Sequence, residues 1–152
     1  MWSADDFPSD QNWPVLIAEM VEFRPDQSDL AVAIGLTHDV SADVQRYCAS
    51  SLPAVSRLLI LKLSSGAGSR SVVCGRHAVE LADAVTNAVR SFGSDGGAYT
   101  HLFIAGPNAF TFFLGQRQAA LGPVRFYEFD FDASRGHSYT AALTLPVQNA
   151  IP

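Results

Sequence analysis

The chain has 152 residues, 48% of them hydrophobic and 16% charged, with a formal net charge of −5. That length suits one domain with a sizeable core, and the hydrophobic share excludes intrinsic disorder, which needs low hydrophobicity and high net charge. The ten basic residues do not cluster, so the basic stripe of a duplex-binding protein is missing, although a small nucleotide is not excluded.

Cys48 and Cys74 are too few for a disulfide scaffold and lack metal-ligand spacing, so they read as small buried hydrophobes in a reducing compartment. No stretch approaches the ~18 unbroken apolar residues of a membrane span. The acidic start, Met1 to Asp10, has neither the basic opening nor the apolar run of a signal peptide, and a cytoplasmic protein is expected.

Residues 1–12 read as a flexible polar arm, 13–146 as a single domain and 147–152 as a tail. Val15 to Phe23 is a mixed apolar run and predicts a strand, and Arg24 to Asp29, with Pro25 and two aspartates, predicts a turn. Leu30 to Leu36 is apolar nearly throughout, as suits a strand covered on both faces. Ser41 is placed to cap a helix with Asp43 in its first turn; Val40, Val44, Tyr47, Cys48 and Leu52 form its apolar face and Pro53 closes it. Arg57 to Leu63 predicts a second buried strand, Ser64 to Ser69 a loop and Ser71 to Cys74 a short strand. Arg76 to Phe92 is amphipathic, with Ala78, Leu81, Ala82, Val85, Val89 and Phe92 at helical spacing and Gly93 as its stop.

A Gly-rich turn over Ser94 to Ala98 leads to a third buried strand, Tyr99 to Ala105. Gly106-Pro107-Asn108 opens the next helix, with Pro107 as its first residue; that helix runs to Leu121 and Gly122-Pro123 ends it. Val124 to Phe131 predicts a fourth buried strand, Asp132 to His137 a polar loop, and Ser138 to Leu145 a last strand. Strands alternating with helices predict an α/β fold, a Rossmann-like three-layer sandwich around a mostly parallel sheet. Ligands of such sheets sit beyond the carboxyl ends of the strands, which selects Thr37-His38-Asp39, Lys62 to Ser65, Gly106-Pro107-Asn108 and Glu128 to Asp132.

Each stretch also has an ordinary reading. Gly106-Pro107-Asn108 suits an anion at a helix start, or is simply a strand-to-helix turn. Thr37 and His38 can donate to a phosphate or a base edge, but neighbours on an extended chain face opposite ways, so His38 and Asp39 make a poor acid–base dyad, and Asp39 can instead begin the next helix. Glu128, Asp130 and Asp132 share one strand face, where they could hold a divalent metal or a ribose hydroxyl, or form a solvated strand end. Phe126, Tyr127, Phe129 and Phe131 read as core. There is no nucleophile elbow, Walker loop, dinucleotide Gly-x-Gly-x-x-Gly or His-Glu-x-x-His; Gly66-Ala67-Gly68-Ser69 completes none of them.

An ordered set of segments resembles SAVED domains. It comprises Thr100-His101-Leu102-Phe103-Ile104-Ala105-Gly106-Pro107-Asn108-Ala109-Phe110, Phe112-Phe113-Leu114-Gly115-Gln116, Leu121-Gly122-Pro123-Val124, Phe126-Tyr127-Glu128-Phe129-Asp130 and Tyr139 to Pro146. Upstream, Asp29 to Asp39, with Ile34-Gly35-Leu36-Thr37-His38-Asp39, is similar to the family's first core strand. The resemblance implies a CARF-like fold, matching a C-terminal half, and a sensor of a cyclic oligonucleotide, cyclic oligoadenylate favoured, in anti-phage systems of the CBASS or type III CRISPR kind. The contacts expected for that ligand are Thr37, His38, Lys62, Ser64, Gly106, Pro107 and Asn108. Self-assembly or a partner effector would complete the site, with no cofactor, no metal, no duplex nucleic acid and no membrane. Two alternatives stand beside the sensor. One is a metal-independent ring nuclease in which His38 or Lys62 stabilises charge at phosphate. The other is a structural partner that has lost its ligand.

Overall fold

The computed structural model describes residues 12–93, 98–129 and 139–145. In chain order these form β1 (Leu16–Glu22), β2 (Asp29–Gly35), α1 (Ser41–Ser51), β3 (Val55–Leu63), α2 (Gly75–Phe92), β4 (Thr100–Ala105), α3 (Asn108–Gly115), α4 (Gln118–Leu121), β5 (Val124–Phe129) and β6 (Tyr139–Leu145). The expected arm, the tip of the Gly-rich turn, the loop after β5 and the tail lie outside the described residues.

The strands make one sheet in the order β1-β3-β2-β4-β5-β6. It is mixed, which corrects the expectation of a mostly parallel sheet. β3, β2, β4 and β5 run parallel, while β1 pairs antiparallel with β3 and β6 antiparallel with β5. The reason is the length of the links. A parallel crossover needs about a dozen residues, commonly a helix; Phe23 to Ser28 join β1 to β2 and residues 130–138 join β5 to β6, both shorter than that.

β2 shows why the apolar runs become central strands. Leu30, Val32 and Ile34 enter a core with α2, α3 and α4, while Ala31 and Ala33 enter a second core with Val44 and Cys48 of α1. Helices therefore cover both faces, and a strand so placed must be apolar on both. α2 buries Ala78, Leu81, Ala82, Val85 and Val89, the stripe its spacing predicts.

Four local expectations are corrected. Ser41 is not the cap but the first residue of α1; Val40 stands at the cap position, and Asp39 before it ties the helix start, its Oδ1 accepting from the Ser41 backbone N–H at 3.0 Å and from the Ser41 hydroxyl at 2.6 Å. Pro107 caps α3 and stands outside it, with extended backbone. Ser71 to Cys74 is not a strand; the Ser71 hydroxyl is tied to the Leu36 and Gly68 carbonyls, and the Val73 N–H to Nδ1 of His77, so the segment pairs with no ladder. The helix expected up to Leu121 breaks after Gly115, where the Arg117 guanidinium turns back to the Phe113 carbonyl at 2.6 Å and to Asp83 at 2.6 Å.

At the end of β2 the chain turns so tightly that a Cβ on Gly35 would lie 2.7 Å from the His38 carbonyl oxygen, whereas one on Gly68 would meet nothing within 4 Å. Backbone cannot yield as a side-chain tip can. We expect Gly35→Ala to destabilise the fold by about 1–3 kcal/mol and Gly68→Ala to stay within about 0.5 kcal/mol, read as urea midpoints at constant m.

Candidate functional site

The strand order reverses at β2, because β3 lies on one side of it and β4 on the other. Connections then leave the two carboxyl ends in opposite directions and open a crevice between them. The described residues place a cleft of about 670 Å³ there, lined by His38, Asp39, Val40, Asp43, Ile104, Ala105, Tyr127, Glu128, Phe129 and Tyr139. Beyond Gly35, the Leu36 and Thr37 N–H groups both donate to the Ala105 carbonyl, at 2.8 and 3.0 Å, so the two strands stay joined as far as the cleft.

Part of the cleft lining is aromatic. Tyr127 stacks on Phe103 with centroids 4.5 Å apart and planes at 11°, and the Tyr139 ring meets Phe103 at 4.9 Å and Phe129 at 5.2 Å, edge-on. Tyr47 of α1 packs edge-on against Tyr127 at 5.7 Å. Burial pushes the Tyr127 and Tyr139 hydroxyls up to about 12, so both remain phenols at neutral pH. Cys48, behind them, is pushed up to about 12 by burial and is no nucleophile.

Carboxylates share the lining: Asp39, Asp43 of α1 and Glu128 of β5, with His38 beside Asp39. Lys62 Nζ lies 3.6 Å from Asp39 Oδ2, and Arg46 lies 3.4 Å from Asp43. The hydrogen bonds from the Ser41 hydroxyl and backbone N–H, and then the Lys62 charge, hold the Asp39 carboxyl below its ordinary value of 3.8. Such a surface accepts hydroxyl and amine hydrogens and repels free phosphate.

Among the expected contacts, His38 lines the cleft and Thr37 adjoins it, with Oγ1 of Thr37 3.0 Å from the His38 ring. Lys62 reaches the site through Asp39. Ser64 is turned to the β1 edge, where its hydroxyl accepts from the Val15 N–H at 3.1 Å. Gly106, Pro107 and Asn108 follow β4 into α3 and are not among the cleft lining. The aromatic residues read as core serve partly as cleft as well: Tyr127 and Phe129 do both. Of the acidic trio, Glu128 lines the cleft, while Asp130 and Asp132 lie outside the described residues; among those described, no three ligand-type side chains gather to hold a metal. Asp43, Tyr127 and Tyr139 were legible only as helix or strand residues. The available signal was the period-two alternation that puts His101 and Phe103 of β4 on the same face as Tyr127 and Phe129 of β5.

Comparison with known proteins identifies the family and the fold. The family model described as "SMODS-associated and fused to various effectors sensor domain" matches residues 1–145. CD-NTase-associated protein 4 of Enterobacter hormaechei is 38% identical over 112 residues, 74% of this chain and 22% of that protein. Two structures of an Acinetobacter baumannii SAVED/CARF-domain containing receptor share the fold. The one with the cyclic trinucleotide 3′3′3′-cAAA has a TM-score of 0.65 at 22% identity, covering 94% of this chain and 30% of that one. The one with 2′3′3′-cAAA has a TM-score of 0.61 at 18% identity, covering 94% and 28%. The chain thus spans less than a third of the length of each.

The tie at the start of α1 has a pH signature. Asp39 titrates lower in the folded chain than in the unfolded one, so its contribution is present above about pH 4 and is lost as pH falls through the folded value. Asp39→Ala is expected to lower stability by at most about 1 kcal/mol at neutral pH, and the gap from the parent chain in thermal melts should shrink and close as pH falls below the ordinary value of 3.8.

Proposed function

Because the chain belongs to the SAVED sensor-domain family, we propose that it binds a cyclic oligonucleotide, cyclic oligoadenylate favoured, in the cleft at the carboxyl ends of β2, β4 and β5. We read the four parallel strands as a Rossmann-like unit that presents this cleft, and the antiparallel edges as additions to it. The observation that carries the proposal is the pairing of aromatic rings with carboxylates at the point where the strand order reverses. The half-buried Phe129 ring is the one we assign to stacking on a base, with the buried Tyr127 and Tyr139 behind it. Asp39, Asp43 and Glu128 accept from exocyclic amines and ribose hydroxyls, as acidic residues do at nucleotide sites.

On this reading the nucleoside lies in the cleft and the phosphates at its rim. There His38 and Thr37 donate, and the Gly106-Pro107-Asn108 turn offers N–H groups on the far side of β4. Lys62 moderates the carboxylates through Asp39 rather than meeting phosphate itself. The role is that of a sensor in anti-phage defence, its signal passing to an effector elsewhere in a longer protein or in a partner.

Calorimetry against 3′3′3′-cyclic triadenylate and a panel of cyclic di- and tetranucleotides tests the reading. Micromolar or tighter binding to one of them is expected, with Glu128→Gln weaker by about 5- to 10-fold through loss of a charge-assisted hydrogen bond. Silence across the panel, for the isolated chain and for its native assembly, overturns it.

A single unit of this size also leaves half of a ring-shaped polyanion in solvent. Ligand should therefore strengthen self-association or partner binding, and assembly should strengthen ligand binding by the same factor. Sedimentation with and without the cyclic triadenylate checks this. A monomer in both conditions that binds with nanomolar affinity would contradict it.

A further inference from the structure

A buried polar chain crosses the sheet beneath the cleft. Asp29 begins β2, and its Oδ2 accepts from Nε2 of His101 at 2.8 Å, while its Oδ1 accepts from the Tyr99 backbone N–H at 3.1 Å. On the other side of the imidazole, Nδ1 and the Tyr127 hydroxyl are 2.6 Å apart. His101 is 4% exposed. Burial lowers its proton affinity, against the opposing pull of Asp29. A neutral ring with its proton on Nε2 satisfies every atom: it donates to Asp29 and accepts from the tyrosine. Among the described residues no buried side-chain nitrogen or oxygen lacks a partner.

Phe at 127 would pack against Phe103 as well as tyrosine does, and burying an aspartate, an imidazole and a phenol is costly unless every bond is made. The chain therefore buys orientation rather than bulk. Its direction follows from the register. Tyr127 pairs with Phe103, and His101 stands two residues earlier on β4, opposite Arg125. A hydroxyl bound to His101 points back toward the amino ends of the strands, away from the cleft at their carboxyl ends.

We infer that His101 is a positioning residue: by binding the Tyr127 hydroxyl within the sheet, it holds that ring as a wall of the cleft and keeps the hydroxyl out of it. The small part of Tyr127 that reaches the cleft, 7% of the residue, is then ring carbon, stacked on Phe103 and met edge-on by Tyr47, with polar recognition left to the carboxylates and His38. The inference rests on the cleft being the ligand site proposed above, but its mechanical half is independent of any ligand.

A double-mutant cycle separates it from a merely structural role. His101→Leu leaves no acceptor for the phenol, while Asp29 keeps the Tyr99 N–H, and Tyr127→Phe removes the hydroxyl with its contacts to His101 and Arg125. Each single variant should weaken binding of 3′3′3′-cyclic triadenylate by about 5- to 10-fold, the scale of one aromatic contact. The double variant should be no weaker than Tyr127→Phe alone, since the loss of the hydroxyl already removes its bond to His101. Multiplying effects, or unchanged binding in both single variants, would overturn it. The ligand-free measurement is the linewidth of fluorotyrosine placed at 127, with the ¹⁵N shifts of His101. A protonated Nε2 with an acceptor Nδ1, and a Tyr127 ring that becomes mobile in His101→Leu, are expected. Equal mobility in parent and variant would sink the inference even where the probe binds, and a parent chain that binds no probe while passing this test would sink only the ligand reading.

Discussion

β2 must be paired along both edges and covered on both faces at once, and the cleft depends on that. With β3 on one side and β4 on the other, its N–H and C=O groups are consumed by ladders as far as Gly35, and the next two N–H groups still find Ala105. Backbone so fully engaged cannot drift, because every lost bond in an unwetted interior leaves an orphaned polar group. The turn that follows is just as constrained: Gly35 passes the His38 carbonyl at a distance no Cβ allows, which delivers His38 and Asp39 to the cleft in one conformation.

Asp39 shows how one side chain serves two levels of the structure. Its carboxylate satisfies the start of α1 and meets Lys62 in the same geometry. The helix start, its positive end already answered by Asp39, is thereby closed to an incoming phosphate. The electrostatics of the cleft then follow from the lining. Asp43 and Glu128 add to Asp39, and the cations nearby sit behind carboxylates. A polyanion can use such a cleft only by presenting its sugars and bases. The aromatic part of the lining fits that demand, since its phenols stay neutral and stacking is indifferent to net charge.

The two faces of the sheet divide the labour. On one, α2, α3 and α4 bury a largely aliphatic core, and the buried His77 and Thr86 of α2 find backbone partners. On the other, α1 covers Ala31, Ala33 and Leu58, and the part of the sheet toward β5 and β6 carries Phe103, Tyr127, Phe129 and Tyr139 together with the His101 chain. The larger aliphatic core and the aromatic cluster thus lie on opposite faces. The small alanines of β2 give way to large rings on β4 and β5, and it is among those rings that the cleft opens.

Much of this was legible beforehand, and the limit is physical. Periodicity and punctuation along the chain determined the central strands, α1, α2 and the turns at Pro53, Gly93 and Gly122, because burial on two faces or on one stripe imposes its pattern on neighbouring residues. The rule for strand ends pointed to His38 and Glu128, and the ordered motifs to the family. Which strand ran antiparallel, which element Ser64 would bond, and that Lys62 would be taken by Asp39 were decided only in three dimensions. The Asp29–His101–Tyr127 chain joins positions 72 and 26 residues apart. Nothing local marks such residues as partners, because the bonds between them exist only once β2, β4 and β5 lie side by side in this register.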